Sequence, residues 1–173
     1  MLHTFRREII LAALLALAAC APPPPSQPVA APPPVNLSDR ERAARDVHVD
    51  PAQAASLISE YRDAHGLGAV TPDPVLQGLA QAQADSMAAH NILSHTIDGT
   101  LSARFDAAGL GQTFAVENVS AGYFSFPAAL AGWRNSPEHN ANLLSAKMKH
   151  LGIATAYAPG TRYLVFWALD MSN

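Results

Sequence analysis

The stretch Gly132-Trp133-Arg134-Asn135-Ser136-Pro137-Glu138-His139-Asn140-Ala141-Asn142-Leu143-Leu144 decides how the rest of the chain is read. It sets a large aromatic, a Ser-Pro break, an acid, a histidine and several asparagines close together. A helix that only packs would repeat apolar residues at i, i+3 and i+4, and Ser136-Pro137 interrupts that spacing. A plain surface loop has no need of Trp133 just before the break. The segment reads as one wall of a polar site whose other walls come from elsewhere.

Two residues upstream fit that role, His95 and Glu117. Like His139, each lies in a short connection or at an element end, where functional groups concentrate on a rigid scaffold. Glu117 sits between Val116 and Val119, so it either turns to solvent or is buried with a partner. A buried carboxylate needs a donor or takes up a proton. Two histidines and a carboxylate can hold a divalent ion such as Zn²⁺ with a position open for water. They can equally form a metal-free acid–base group. No His-Glu-x-x-His or paired Cys-x-x-Cys pattern decides between them. Ser94 and Ser136 stand near His95 and His139, but there is no Gly-x-Ser-x-Gly elbow, and a serine beside a helix break serves as a cap. His65, His90 and His150 lie at helix ends or surface turns, where solvated or capping roles are expected.

The chain has 173 residues, enough for one domain with a real core. Charged residues make up 14% and the formal net charge is −3, so no basic patch supports nucleic-acid binding. Arg6 and Arg7 precede an apolar run from Ile9 to Ala19, too short to span a bilayer as a settled helix and ending in small residues. Residues 1–19 therefore read as a signal peptide, and Leu17-Ala18-Ala19-Cys20 resembles a bacterial lipobox. That resemblance implies cleavage before Cys20 and a diacylglyceryl group on its sulfur, with the membrane as partner. Ala21, rather than Asp, after the cysteine leans towards the outer membrane of a bacterial envelope. Cys20 is the single cysteine, so the domain carries no disulfide and relies on its core. Residues 20–48 read as the lipidated cysteine and a proline-rich tether, whose last dozen residues form a short helix or continue the linker. In polyproline II its proline-rich part would reach on the order of 50 Å from the lipid.

Residues 49–173 form the globular part. Asp50-Pro51 and Asp73-Pro74 each supply an N-cap followed by Pro at the first helical position. The second helix is rich in alanine and must lie close against a neighbour. A shorter helix covers 101–108, with Gly109 as its stop. Phe114 to Ala121 reads as a brief strand or extended segment, and Ser125-Phe126-Pro127 starts a helix through Trp133. Leu151 to Tyr157 and Arg162 to Leu169 read as strands joined by the turn Ala158-Pro159-Gly160-Thr161. The second is apolar almost throughout, as a strand covered on both faces is. Helices followed by a terminal hairpin imply an α+β domain.

Several segments, in order, resemble the CAP superfamily of cysteine-rich secretory, venom-antigen and pathogenesis-related proteins, in its disulfide-free bacterial branch. They are Leu57 to Leu67, Pro72-Asp73-Pro74-Val75-Leu76, Ser94-His95-Thr96, Glu117-Asn118-Val119 and Trp133 to Leu144. The resemblance implies a three-layer α-β-α sandwich with a small antiparallel sheet between helices. It implies a cleft with His95 and His139 as the family's two histidines and Glu117 as its first glutamate. The second glutamate falls at Ser136, so the tetrad is incomplete. Val116 replaces the family's Gly, and Tyr163-Leu164-Val165-Phe166 replaces its Tyr-Trp-Thr-Gln. His95, Glu117 and His139 remain as the candidate metal ligands. A lipid-anchored binding or interaction module for a lipid, protein or cell-envelope ligand is the function expected. The alternatives are a metal-assisted or acid–base hydrolase of peptide or cell-wall bonds, and a polar cluster that only locks helices to sheet.

Overall fold

The computed structural model describes residues 38–173. The signal peptide, Cys20 and the proline-rich run expected above lie outside the described residues. Helix α1 (Asp39–Arg45) starts with a capping box: Ser38 Oγ accepts from the Glu41 N–H at 3.2 Å, and the Glu41 carboxylate accepts from the Ser38 N–H at 3.0 Å. Ala44 is fully buried in the main core, with Val47 and Val49 packed against it. The tether expected to run to residue 48 therefore ends earlier, because apolar side chains already join the core before Asp50.

Helices α2 (Pro51–Asp63) and α3 (Pro74–His90) begin where the Asp-Pro pairs place them. Asp50 accepts from the Ala52 N–H at 2.9 Å; Asp73 accepts from those of Val75 and Leu76 at 2.8 and 3.0 Å. Asn91 ends α3 in the left-handed conformation, φ +52°. Strand β1 (Thr71–Pro72) precedes α3, and α4 (Leu101–Ala107) and β2 (Ala115–Ala121) follow it. Then come α5 (Phe126–Arg134), α6 (Pro137–Leu143), β3 (His150–Tyr157) and β4 (Val165–Ser172).

Three elements differ from expectation, two-residue β1 being one that the sequence did not announce. The Ser-Pro break opens α6, because Pro at the first helical position lacks only an N–H that would have no helical partner. The last strand runs over 165–172 rather than 162–169, because Leu164 takes φ +64°. Its N–H is held by Thr161 Oγ1 at 3.0 Å, so residues 162–164 complete the turn.

The sheet order is β1-β3-β4-β2. β4 pairs antiparallel with β3 and β2, while two-residue β1 adds a parallel edge to β3. Side chains alternate across the sheet. Val165, Trp167, Leu169 and Met171 enter one core with Ala54, Ile58, Leu130 and Trp133. Phe166 and Ala168 enter the other with Ala80, Ala84 and Met87 of α3. Helices on both faces make the three-layer α-β-α arrangement. A Cβ at Gly152 would fall 2.0 Å from the backbone of Leu76, so α3 lies against β3 at a distance only glycine permits. Buried Arg62 donates to the carbonyls of Gly68, Leu143, Ser145 and Met148 at 2.7–3.1 Å. It thereby fixes the connection between α6 and β3 and, with it, the helix that carries His139.

Candidate functional site

Glu117 and Asn118 are consecutive on β2, the edge strand, so they serve opposite faces of the sheet. Each anchors one half of the site.

On the α3 side, the Glu117 side chain is only 2% exposed, whereas that of His95 is 55% exposed. His95 Nδ1 lies 2.7 Å from Glu117 Oε1. Against a carboxylate the imidazole must donate, so Nδ1 carries the proton and Nε2 is left as the free ring nitrogen. Arg104 Nη2 donates to Glu117 Oε2 at 2.5 Å, and its Nη1 donates to Gln83 Oε1 at 2.6 Å. Gln83 Nε2 in turn donates to the carbonyl of Ser94 at 2.6 Å. The chain of bonds thus runs from Ser94 through Gln83, Arg104 and Glu117 and closes on the next residue, His95.

Asp170 stands directly across from Glu117 in the β2–β4 register and is fully buried. Neither of its carboxyl oxygens meets a donor within hydrogen-bond geometry. Burial first, then the charge of Glu117, pushes its carboxyl up to about 8, against an opposing pull from Arg104. The nearness of the Glu117 carboxyl adds a smaller push in the same direction, although the two groups do not meet in a well-formed hydrogen bond. Of the two acids, Asp170 holds the proton, because Glu117 has Arg104 and His95 and Asp170 has no donor of its own.

On the other face, Asn118 Nδ2 donates to the carbonyl of His139 at 3.0 Å. Asn142 Nδ2 donates to Asn118 Oδ1 at 2.9 Å and to the Glu117 carbonyl at 3.0 Å. These bonds hold α6 to the strand. His139 Nδ1 lies 2.9 Å from Ser136 Oγ. Ser136 occupies the N-cap of α6, yet its side chain makes no capping bond. Burial holds the His139 imidazole below its ordinary value, the charge of His95 lowers it further, and Glu138 opposes both. The two histidines therefore sense each other, but His139 makes no bond to Glu117.

The three expected ligands do not fit a metal ion. Among the described residues, no group of three or more His, Cys, Asp or Glu is arranged to hold one. Glu117 presents one oxygen to an imidazole N–H and the other to a guanidinium. His65 and His90 fold back on the carbonyls of Tyr61 and Ser86, and His150 meets Thr71 Oγ1. A recess of about 220 Å³ opens beside Arg104, lined by Leu79, Ala82, Gln83, Asp98, Arg104 and Ala107.

The sequence reading missed Gln83, Arg104, Asn118, Asn142 and Asp170. Gln83 carried a faint signal, being a long polar side chain on the close-packed face of an alanine-rich helix. Asp170 carried another, as an acid ending an apolar strand run.

A three-layer α-β-α domain with a His–Glu pair on the edge strand of its sheet is the class of molecule defined here. The family model of the cysteine-rich secretory protein (CAP) family matches residues 55–171, and the chain belongs to that family. The uncharacterised membrane protein YlbC of Bacillus subtilis is 31% identical over 103 residues, 58% of this chain and 30% of that one. An extracellular, SCP-domain protein of Bacillus anthracis superposes with a TM-score of 0.61 at 28% identity, covering 70% of this chain and 39% of its own. An outer surface protein of Borrelia burgdorferi shares the fold, with a TM-score of 0.63 at 18% identity, covering 73% of this chain and 97% of its own. This chain thus spans about a third of the two Bacillus proteins. Among the described residues, no helix is long and apolar enough to cross a membrane.

Proposed function

We propose that this chain is an extracytoplasmic binding module, held to the bacterial envelope through lipidated Cys20, that engages its ligand at the His95–Glu117–His139 cleft beside Ser136. The observation that carries this reading is the bond between exposed His95 and buried Glu117. A buried carboxylate that orients a surface imidazole, braced by Arg104 and Gln83, is more preorganised than packing alone requires. Asn118 and Asn142 hold α6, the helix that carries the second imidazole, to the strand. The recess beside Arg104 offers an apolar patch for part of a ligand. The B. anthracis relative is an extracellular protein and the Borrelia one an outer surface protein, which supports an envelope location.

The test is a binding screen of the full chain in detergent against phospholipids, a sterol and soluble muropeptides, followed by ring-proton shifts of His95 and His139. A ligand that shifts both rings, and is lost in His95→Ala, is expected. Retention of every ligand in His95→Ala and His139→Ala together would remove the cleft from the proposal.

A second reading, acid–base hydrolysis of peptide or cell-wall bonds, draws on the same His95–Glu117 pair and on Ser136 turned towards His139. Appearance of cleaved muropeptide or peptide, abolished by His95→Ala, would favour it over binding.

A further inference from the structure

The partner of Glu117 at Oε2 is a guanidinium, that of Arg104. Arg104 is only 10% exposed and comes from α4, while the carboxylate comes from β2 and Gln83 from α3. The planar fork spans two acceptors at once, Gln83 Oε1 at 2.6 Å and Glu117 Oε2 at 2.5 Å. A guanidinium cannot lose its proton at ordinary pH, so its charge is permanent. Asp170, buried across the register from Glu117 with no donor on either oxygen, adds no usable negative charge as long as it carries its proton. At Glu117 itself one fixed cation then stands against one carboxylate, and each carboxylate oxygen already has a donor.

We propose that Arg104 is the resident cation of this site. It replaces a divalent metal on Glu117 and, through Glu117 and Gln83, positions His95, so that the cleft works without metal. Arg104 is thus a positioning residue that acts through Glu117, and Asp170 is the neutral floor that lets a single cation suffice. This rests on the binding-cleft reading for its use, but metal titration and ligand capture are separate readouts. A cleft without an identified ligand leaves the titration as decisive as before.

The experiment is calorimetric titration of the full chain, freed of metal by chelator, with zinc. Wild type is expected to give no saturable isotherm, and its unfolding midpoint is expected to be the same with and without chelator. Arg104→Met removes the cation while leaving an apolar stem, which frees the carboxylate. A saturable zinc isotherm should then appear, and should be lost again when His95→Ala is added. Arg104→Lys keeps a charge but cannot bridge Gln83 and Glu117 together. It should give no isotherm, yet should loosen the His95 ring, read as averaging of its Nδ1 and Nε2 nitrogen shifts. A wild-type isotherm abolished by His95→Ala would overturn the proposal. So would a folded Arg104→Met with no isotherm and an unchanged His95 tautomer. Should Arg104→Met fail to fold, the wild-type titration and the Arg104→Lys ring shifts still decide the matter.

Discussion

Replacing Asp170 with asparagine should change how the stability of this domain depends on pH. Asp170 is completely buried, both of its oxygens lack a donor, and its carboxyl is pushed up to about 8 from an ordinary 3.8. The folded state therefore holds a proton that the unfolded chain releases once the pH passes the ordinary aspartate range. Stability from this group is fully present below that range. It falls as pH rises and levels off above about 8. Each pH unit in that window costs about 1.4 kcal/mol, so pH 7 lies about 4 kcal/mol below the acid plateau as an upper bound. Other groups titrate in the same window, and the difference between two variants isolates this one. Asparagine has nearly the same shape, is neutral at every pH, and can donate an amide N–H towards Glu117. Urea unfolding of the full chain and of Asp170→Asn at steps from about pH 5 to about pH 8 reads the difference directly. Wild type should lose stability with rising pH relative to the variant, and the variant should be the more stable at pH 7. Parallel curves would show that Asp170 is ionised in the folded state and would refute the assignment of the proton.

Three further outcomes follow from the same geometry. The His139 ring should titrate below the ordinary histidine value of 6.5 in proton NMR, and His95→Ala should raise it part of the way back, since burial persists when the His95 charge is gone. An unmoved His139 would mean that the two rings do not face a common cleft. Because its folded value is depressed, His139 contributes stability above the ordinary histidine range that is lost as pH falls through it. Gly152→Ala should cost about 3 kcal/mol or more in urea unfolding, since its Cβ would meet the backbone of Leu76 at 2.0 Å and a backbone cannot swing aside. Arg62→Met should cost about 3 to 5 kcal/mol by leaving four carbonyls without their donor; broadening of His139 signals would show that α6 loosens with it.

Much of this fold is legible in local chemistry. Asp50-Pro51 and Asp73-Pro74 mark helix starts because an aspartate at the cap and a proline after it satisfy needs that arise within a single turn. The alanine run of α3 announces close packing, and Gly152 is its complement on the sheet. The alternation of β3 follows from the pleat, and the nearly unbroken apolar run of β4 from cover on both faces. Two elements escaped: two-residue β1, too short to show a period, and α6, whose short run of Glu, His and Asn carries no apolar stripe. Its stability comes from Arg62 and Asn142, contacts made across the chain.

The candidate site divides along the same line. The sequence by itself determined which groups were available: His95, Glu117 and His139, a serine at 136 in place of an acid, and one cysteine, Cys20. It also determined that Glu117, flanked by valines, would need a partner if buried. Which partner it received was decided only by tertiary structure. Arg104 reaches it from α4 and Asp170 from the neighbouring strand, at sequence separations no local pattern encodes. The pleat of an edge strand sends Glu117 and Asn118 to opposite faces, so His95 is held through the Glu117 side chain while the backbone of His139 is held through Asn118. Charge and hydrogen bonding act over a few ångströms in space. Residue types can therefore be read along the chain, but what each charge is balanced against depends on the fold.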